Sequence, residues 1–264
     1  MTKNLITLLT DFGLQDVYVG LMKGAIFKIN PQVQIIDLTH QIPPQNILCA
    51  RFALMNAIPY FPDGTIHVAV VDPGVGSKRK GIAISFEKGY LVGPDNGIFS
   101  GILEQYPAKL AVELNNREYW LNLEPSSTFH GRDIFAPIAS HLAKGVKLEE
   151  LGSKIDLNSL TGIELPQSER KGLEITGFIQ YIDIFGNLIT NIPASEVKGK
   201  SWSIIVDNLV IPRGETYSSV PQGELVSLIG SHGWVEIAVN GGNAKIRLNL
   251  NYLDQIRLRI ENIK

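Results

Sequence analysis

The sequence predicts an α/β protein in two parts: a parallel sheet covered on both faces, then a small antiparallel barrel or sandwich. Three observations carry this expectation. Short, nearly continuous apolar runs alternate with segments of helical period from Leu5 to Lys144. A polar, proline-containing passage between Leu151 and Lys171 interrupts that pattern. Beyond it only short strand-like segments remain, separated by glycine and charged turns. At 264 residues the chain has room for two domains of unequal size.

Leu5 to Leu9 is an apolar run closed by Thr10-Asp11-Phe12-Gly13, a buried strand ending in a turn. A helix follows from about Asp16, with Val17, Leu21, Gly24 and Ala25 expected inward, until Asn30-Pro31 stops it. Gln34 to Leu38 is the next strand, ending at Thr39-His40. Asn46 to Ile58 is a helix in which Ile47, Ala50, Leu54 and Ile58 recur on one side. Thr65 to Val71, apolar almost throughout, is a strand that ends at Asp72-Pro73-Gly74. Ile82 to Ser85 and Tyr90 to Val92 are strands joined through Gly89. Gly93-Pro94-Asp95-Asn96-Gly97 then makes a tight turn before a short helix near Ile98 to Gln105. Glu113 to Leu123 fits strand better than helix. Arg132 to Lys144 is a helix with Phe135, Ile138, Ala139 and Leu142 on one side and Gly145 at its end. The first domain is placed at 1–160, the linker at 161–171 and the second domain at 172–264. In that second domain strands are expected at Leu173 to Tyr181, Ser201 to Val206, Leu225 to Ile229, Val235 to Val239, Ala244 to Leu250 and Ile256 to Ile260.

Twenty-four basic against twenty-six acidic residues give a formal charge of -2, so no positive field would hold a polyanion. Nucleic acid is therefore not an expected partner, and Lys78-Arg79-Lys80 is too short to track a backbone. A single cysteine, Cys49, excludes an internal disulfide and reads as a small buried hydrophobe. The apolar stretch Met1 to Leu9 is too short for a signal peptide, and no run reaches the roughly 18 apolar residues of a membrane span. A cytoplasmic location with no membrane partner is the expectation.

Asp11, Asp37 and Asp72 each stand at the end of a strand. In an open parallel sheet ligands bind beyond the carboxyl ends, so the three would share one edge; the same aspartates also suit turns and helix caps. Asp72-Pro73-Gly74-Val75-Gly76 sets a carboxylate against a turn whose glycines allow close backbone approach. No phosphate loop and no Gly-x-Gly-x-x-Gly is present, which disfavours nucleoside triphosphate hydrolysis and dinucleotide binding. Phe129-His130-Gly131-Arg132-Asp133 opens the last helix of the domain, where free N–H groups and a loop histidine can face a pocket. Asp183, Phe185, Asn187 and Asn191 fall in a loop after the Leu173 to Tyr181 strand, and an aromatic face beside amides suits a flat heterocycle. Aspartates with His40 and His130 raise a metallophosphoesterase alternative, but there is no His-Glu-x-x-His and no dense Asp/His cluster, so no metal site is expected. On residue pattern alone the chain is a small-molecule enzyme of open class.

Six segments, taken together and in order, narrow that class: Thr10-Asp11-Phe12-Gly13, Asp37-Leu38-Thr39-His40, Val71-Asp72-Pro73-Gly74-Val75-Gly76, Gly93-Pro94-Asp95-Asn96-Gly97, Thr128-Phe129-His130-Gly131-Arg132-Asp133, and Asp183-Ile184-Phe185-Gly186-Asn187-Leu188-Ile189-Thr190-Asn191. From Leu5 to its end the chain resembles the S-adenosyl-L-methionine hydroxide adenosyltransferases, relatives of the bacterial fluorinating and chlorinating enzymes. The resemblance implies a three-layer α/β/α N-terminal domain with a mainly parallel sheet and a C-terminal antiparallel β-barrel. It also implies a homotrimer with sites between the N-terminal domain of one subunit and the barrel of its neighbour. The implied reaction is displacement by water at ribose C5′ of S-adenosyl-L-methionine, giving adenosine and L-methionine, with that molecule as substrate and no separate cofactor.

By the same resemblance Asp72, Arg79 and His130 are the catalytic set, and Asp11 grips the ribose hydroxyls. Asp183 and Ser231 match contacts to the methionine end; Asn187 matches an adenine contact, with Phe185 and Tyr217 as aromatic neighbours. The fluorinating relatives carry tyrosine at the positions matching Asp72 and His130 and serine at Gly131, so this chain sides with the water-using branch. Glycine at that last position also occurs in the chlorinating branch, which makes a chloride-using enzyme the nearest alternative, ahead of a metal-dependent phosphoesterase or an adenosyl-ligand binding protein. His232 stands where the fluorinating relatives use arginine, and Arg213 is a candidate to take over its grip on the carboxylate.

Overall fold

The apolar strands of the first part pair into a seven-stranded sheet in a computed structural model that describes residues 5 to 261. The strands are β1 (Leu5–Thr10), β2 (Gln34–Thr39), β3 (Thr65–Val70), β4 (Gly81–Phe86), β5 (Gly89–Pro94), β6 (Leu110–Glu113) and β7 (Ser153–Lys154), in the order β2-β1-β3-β5-β4-β6-β7. β2, β1, β3 and β5 run parallel, whereas β4, β6 and β7 join through antiparallel pairings. The sheet is therefore mixed, which corrects the mainly parallel sheet expected above. The reason is local: only two residues separate β4 from β5, and so short a connection can join antiparallel neighbours but not parallel ones.

Four helices cover this sheet: α1 (Tyr18–Ile29), α2 (Ile47–Ala57), α3 (Ser100–Gln105) and α4 (Ala136–Ala143), with α1 packed on α4 and α2 on α3. Ile6, Leu8, Ile66, Val68 and Val70 form one core with Met22 and Ile26 of α1 and Ile138 and Leu142 of α4. Thr7, Leu9, His67 and Ala69, which alternate with them, are equally buried, so both faces of β1 and β3 are covered. α2 starts where Asn46 caps it, its side chain accepting from the Cys49 N–H at 2.9 Å. Three local expectations are corrected. In α1 the inward residues are Val19, Met22, Ala25 and Ile26, while Val17, Leu21 and Gly24 face out; apolar residues lie on both sides of this helix, and contact with α4 selects one. Of Glu113 to Leu123 only Glu113 belongs to a strand, because Asn116 accepts from the Glu118 N–H at 3.2 Å and diverts the chain into a 3₁₀ turn, Arg117–Tyr119. The helix expected from Arg132 opens with a π-helical turn, Gly131–Phe135, before α4. Its expected inner face, Phe135, Ile138, Ala139 and Leu142, is fully buried.

The chain divides into two compact units, one up to Ile163 and one from Glu164. The second contains β8 (Glu169–Lys171), β9 (Glu174–Ile182), β10 (Leu188–Pro193), β11 (Trp202–Val206), β12 (Leu209–Pro212), β13 (Leu225–Ile229), β14 (Trp234–Val239) and β15 (Gln255–Ile260), with short helices α5 (Ala194–Val197) and α6 (Ala244–Leu248). The main path, β12-β11-β15-β9-β10-β14-β13, is antiparallel throughout. Its two ends nearly close into a barrel where Arg213 bridges Ser227 and the Gly214 N–H donates to the Ser227 carbonyl at 2.8 Å. Ile179, Trp202, Ile204, Val235, Ile237 and Leu258 fill the interior. The strand expected at Ala244 to Leu250 is instead α6. Asn243 caps it by accepting from the Ile246 N–H at 2.9 Å, and a side-chain cap commits the following residues to helix.

Candidate active site

From β1 the chain crosses to β2 on one side and then to β3 on the other, which opens a crevice beyond their carboxyl ends. A cleft of about 290 Å³ lies there, lined by Asp11, Phe12, Gln45, Asp72, Phe129, His130 and Gly131 among others. Asp11 follows β1 directly, and its Oδ2 accepts from the Gln45 N–H at 2.8 Å. Gln45 holds a left-handed backbone, φ 63°, which is uncommon for a side chain of this type and is found where surrounding structure enforces it. Phe12, Tyr18 and Phe129 meet edge to face at the cleft, with ring centroids 5.4 to 6.0 Å apart.

Asp72, Arg79 and His130 come together although 58 residues of chain span them. Arg79 Nε donates to Asp72 Oδ1 at 2.9 Å, Nη2 donates to Asp72 Oδ2, and Nη2 also donates to His130 Nδ1 at 2.8 Å. Asp72 and His130 line the cleft; Arg79 does not, and its guanidinium lies 5.3 Å from the centroid of the Phe135 ring. It is thus a clamp behind the two residues that face a ligand. Guanidinium nitrogens can only donate, so His130 Nδ1 must accept and the neutral ring carries its proton on Nε2. Burial, reinforced by the positive charge of Arg79, holds the His130 pKa below its ordinary value, so the neutral ring is the form present at neutral pH.

Local packing explains why positions 72, 79 and 130 meet. Gly76 has φ 76°, and a Cβ there would collide with the Ser127 carbonyl, so glycine lets the loop after Asp72 lie against the segment that leads to His130. Asn96 donates through Nδ2 to the Val71 carbonyl at 2.8 Å and pins the chain just before Asp72. The Gly93 to Gly97 motif therefore braces the site from behind. Asp37 is not part of the cleft: Lys23 Nζ donates to its Oδ2 at 2.6 Å and His40 Nε2 lies 3.1 Å from Oδ1. Burial works against its charge, but these two partners prevail and hold its pKa below the usual carboxylate value. The expectation that three aspartates share one ligand edge is thus corrected to two, since Asp37 points to α1.

In the second unit a separate cleft is lined by Phe185, Asn187, Tyr217, Val239, Gly241 and Gly242. Asp183 and Ser231 are not among its lining residues. Asp183 shapes the hairpin between β9 and β10, with Oδ1 accepting from the N–H groups of Phe185 at 3.0 Å and Asn187 at 2.8 Å, and Oδ2 from Asn187 Nδ2 at 2.8 Å. Ser231 is exposed in the turn between β13 and β14, and the Arg213 side chain is exposed beside the barrel seam. Asn191, read as a loop residue, lies on β10, where it accepts from the Phe178 N–H at 2.8 Å and donates to the Pro166 carbonyl at 2.7 Å. One site residue escaped sequence reading, Gln45, because a backbone donor at φ 63° has no motif. Among the described residues no group of three His, Cys, Asp or Glu side chains could hold a metal ion, and no helix is long and apolar enough to cross a membrane.

A cleft at the crossover of an α/β sheet, holding a clamped Asp-Arg-His set, joined in one chain to a nearly closed antiparallel barrel, defines a class of small-molecule enzymes rather than a binding scaffold alone. Within that class the chain belongs to the S-adenosyl-L-methionine hydroxide adenosyltransferase family: residues 6–152 match its N-terminal domain and residues 177–257 its C-terminal domain. A protein from Salinispora tropica named (R)-S-adenosyl-L-methionine hydrolase is 37% identical, over 96% of this chain and 97% of its own. One of the same name from Methanocaldococcus jannaschii is also 37% identical, over 97% of this chain and 95% of its own. The crystal structure of an uncharacterized conserved protein from Thermotoga maritima superposes with a TM-score of 0.89 at 36% identity, covering 96% of this chain and 99% of that one.

Proposed function

We propose that this protein hydrolyses S-adenosyl-L-methionine to adenosine and L-methionine by direct attack of water on ribose C5′. The observation that carries the reading is the Asp72-Arg79-His130 set at the wall of the first-unit cleft, in a chain similar over nearly its whole length to named hydrolases of that substrate. The leaving sulfur departs as a neutral thioether from a sulfonium, so no general acid is required. What remains is to orient one water, exclude others and receive the proton that water loses. His130, with Nδ1 committed to Arg79, offers an Nε2–H and thus orients the water oxygen. Asp72 is the anionic member of the set and takes the proton. Asp11, held by Gln45, suits two ribose hydroxyls, because a carboxylate only accepts. No metal takes part in this scheme.

Phe185, Asn187 and Tyr217 supply an aromatic and amide surface for adenine, with Asp183 and Ser231 at the methionine end. These residues belong to a different unit from the reacting set, and the family resemblance implies a homotrimer whose sites combine the first unit of one subunit with the barrel of its neighbour. Exposed apolar residues fit buried contact surfaces in such an assembly: Val17, Tyr18 and Leu21 at the start of α1, and Ile184 on the β9–β10 hairpin. A cytoplasmic location agrees with the lone, buried Cys49.

Incubation in oxygen-18 water tests the chemistry. The label is expected in the 5′-hydroxyl of adenosine, with none in methionine, and turnover is expected to survive exhaustive chelation. Unlabelled adenosine, or 5′-chloroadenosine as the main product in ordinary chloride, overturns the reading; loss of activity restored only by a divalent ion favours the phosphoesterase alternative. Mixing inactive Asp72→Asn and Asn187→Ala proteins tests the shared site, since activity returns only if one subunit can complete another.

A further inference from the structure

On β14, Val235, Ile237 and Val239 face the barrel core, and Glu236 points to the opposite side. Its side chain is 4% exposed, and a carboxylate is rarely so buried unless both oxygens are paired. They are. Oε1 accepts from the Tyr217 hydroxyl at 2.9 Å, and Oε2 lies 3.0 Å from His232 Nε2. His232 Nδ1 accepts from the Trp234 N–H at 3.2 Å, which places the imidazole proton on Nε2, facing Glu236. The backbone is shaped around this pair: a Cβ at Gly230 would strike the His232 ring and approach Glu236 Oε2 to 2.7 Å. One buried anion thus ties down two loops, the 3₁₀ turn Tyr217–Ser219 at the barrel cleft and the turn carrying Ser231. Burial, then the bond to Glu236 and the nearby charge of Asp183, push the Tyr217 phenol up to about 12, so its proton stays committed to the carboxylate.

We infer that Glu236 is a positioning residue for ligand binding, fixing Tyr217 at the wall of the barrel cleft and, through His232, the Ser231 turn. An apolar residue would serve a barrel strand better if folding alone were at stake, because burying a carboxylate carries a desolvation penalty that its partners must first offset. The inference rests on the reading of this cleft as the adenosyl half of the substrate site.

The test is a double-mutant cycle of Glu236→Gln, Tyr217→Phe and the double variant, read by calorimetric adenosine binding and by KM and kcat for S-adenosyl-L-methionine, on proteins whose circular dichroism is unchanged. Glutamine keeps the volume but can accept for only one of the two donors. Each single variant is expected to weaken adenosine binding and raise KM by about tenfold, and the double variant to be no worse than the weaker single within about threefold. Effects that multiply, unchanged adenosine affinity in Glu236→Gln, or a loss confined to kcat each overturn the inference. If Glu236→Gln does not fold, Tyr217→Phe alone decides: unchanged adenosine affinity refutes the claim. Native protein that binds adenosine without hydrolysing S-adenosyl-L-methionine removes the proposed activity and leaves the cycle interpretable; native protein that binds no adenosine removes both.

Discussion

Arg79→Ala removes a clamp rather than a ligand contact, and that difference sets the size and kind of the expected loss. Arg79 makes two hydrogen bonds to Asp72 and one to His130, with side chains of Arg79 and Asp72 only 10% and 6% exposed. Deleting one partner of a buried ion pair costs about 3–5 kcal/mol. Because Asp72 lies at a cleft wall that water can reach, the lower end applies, about 3 kcal/mol, or roughly 6–12 °C in Tm. Turnover should fall further than stability alone explains: His130 loses the donor that sets its tautomer and Asp72 loses its orientation, and losing one preorganised group typically costs about 10² to 10³ in kcat. KM should change little, since Arg79 does not line the cleft. Arg79→Lys keeps the charge, but one ammonium cannot reproduce the planar fork, so it should recover much of the Tm and little of the kcat. Steady-state kinetics and thermal melts on the three proteins check this. An Arg79→Ala enzyme within tenfold of native kcat, or one whose whole defect is in KM, refutes the clamp.

The remaining predictions concern the loop, the histidines and their titration. Gly76→Ala should lower stability by about 1–3 kcal/mol through its strained φ and the clash with Ser127, and should depress kcat by shifting Asp72 and Arg79; a fully active, equally stable variant would count against the packing argument. Burial lowers the His67 pKa to about 4, so the fold favours neutral imidazole and the unfolded chain takes up the proton first. The resulting stabilisation is complete above pH 6.5 and disappears as pH falls towards 4, a swing of about 3 kcal/mol that urea titrations should show and His67→Gln should flatten. The lowered His130 pKa likewise predicts that activity holds to below pH 6.5 and declines on further acidification. Nitrogen-15 NMR at pH 7 should find its proton on Nε2, and an Nδ1–H signal contradicts the bond drawn from Arg79.

Much of the candidate site was legible because its residues stand in short, chemically specific segments. Asp11 and Asp72 end apolar strands, and Phe129-His130-Gly131 precedes a strongly periodic helix, so their places at one sheet edge followed from pattern and topology. Asp37 has the same local signature, yet α1 brings Lys23 to it and turns it from ligand chemistry to an ion pair. Asp183 also braces its own hairpin, a part that its motif does not announce. Gln45 and Glu236 were invisible for a different reason: each acquires its part from a residue well separated in sequence, Asp11 in one case and Tyr217 in the other.

By itself the sequence determined which segments could be buried strands, where the texture changes from α/β to short strands, and which motifs carry carboxylate, imidazole and guanidinium groups. These depend on near neighbours, through periodicity, turn chemistry and side-chain type. Only the tertiary structure decided that α1 turns Val19, Met22 and Ile26 inward instead of Val17 and Leu21, and that Asp37 pairs with Lys23 instead of facing the cleft. It alone decided that Arg79 stands behind Asp72 and His130 and so sets which imidazole nitrogen holds the proton. A helix with two apolar sides, or a histidine with two nitrogens, has nearly equal local choices, and a contact worth about 1 kcal/mol from a distant part of the chain is enough to select one.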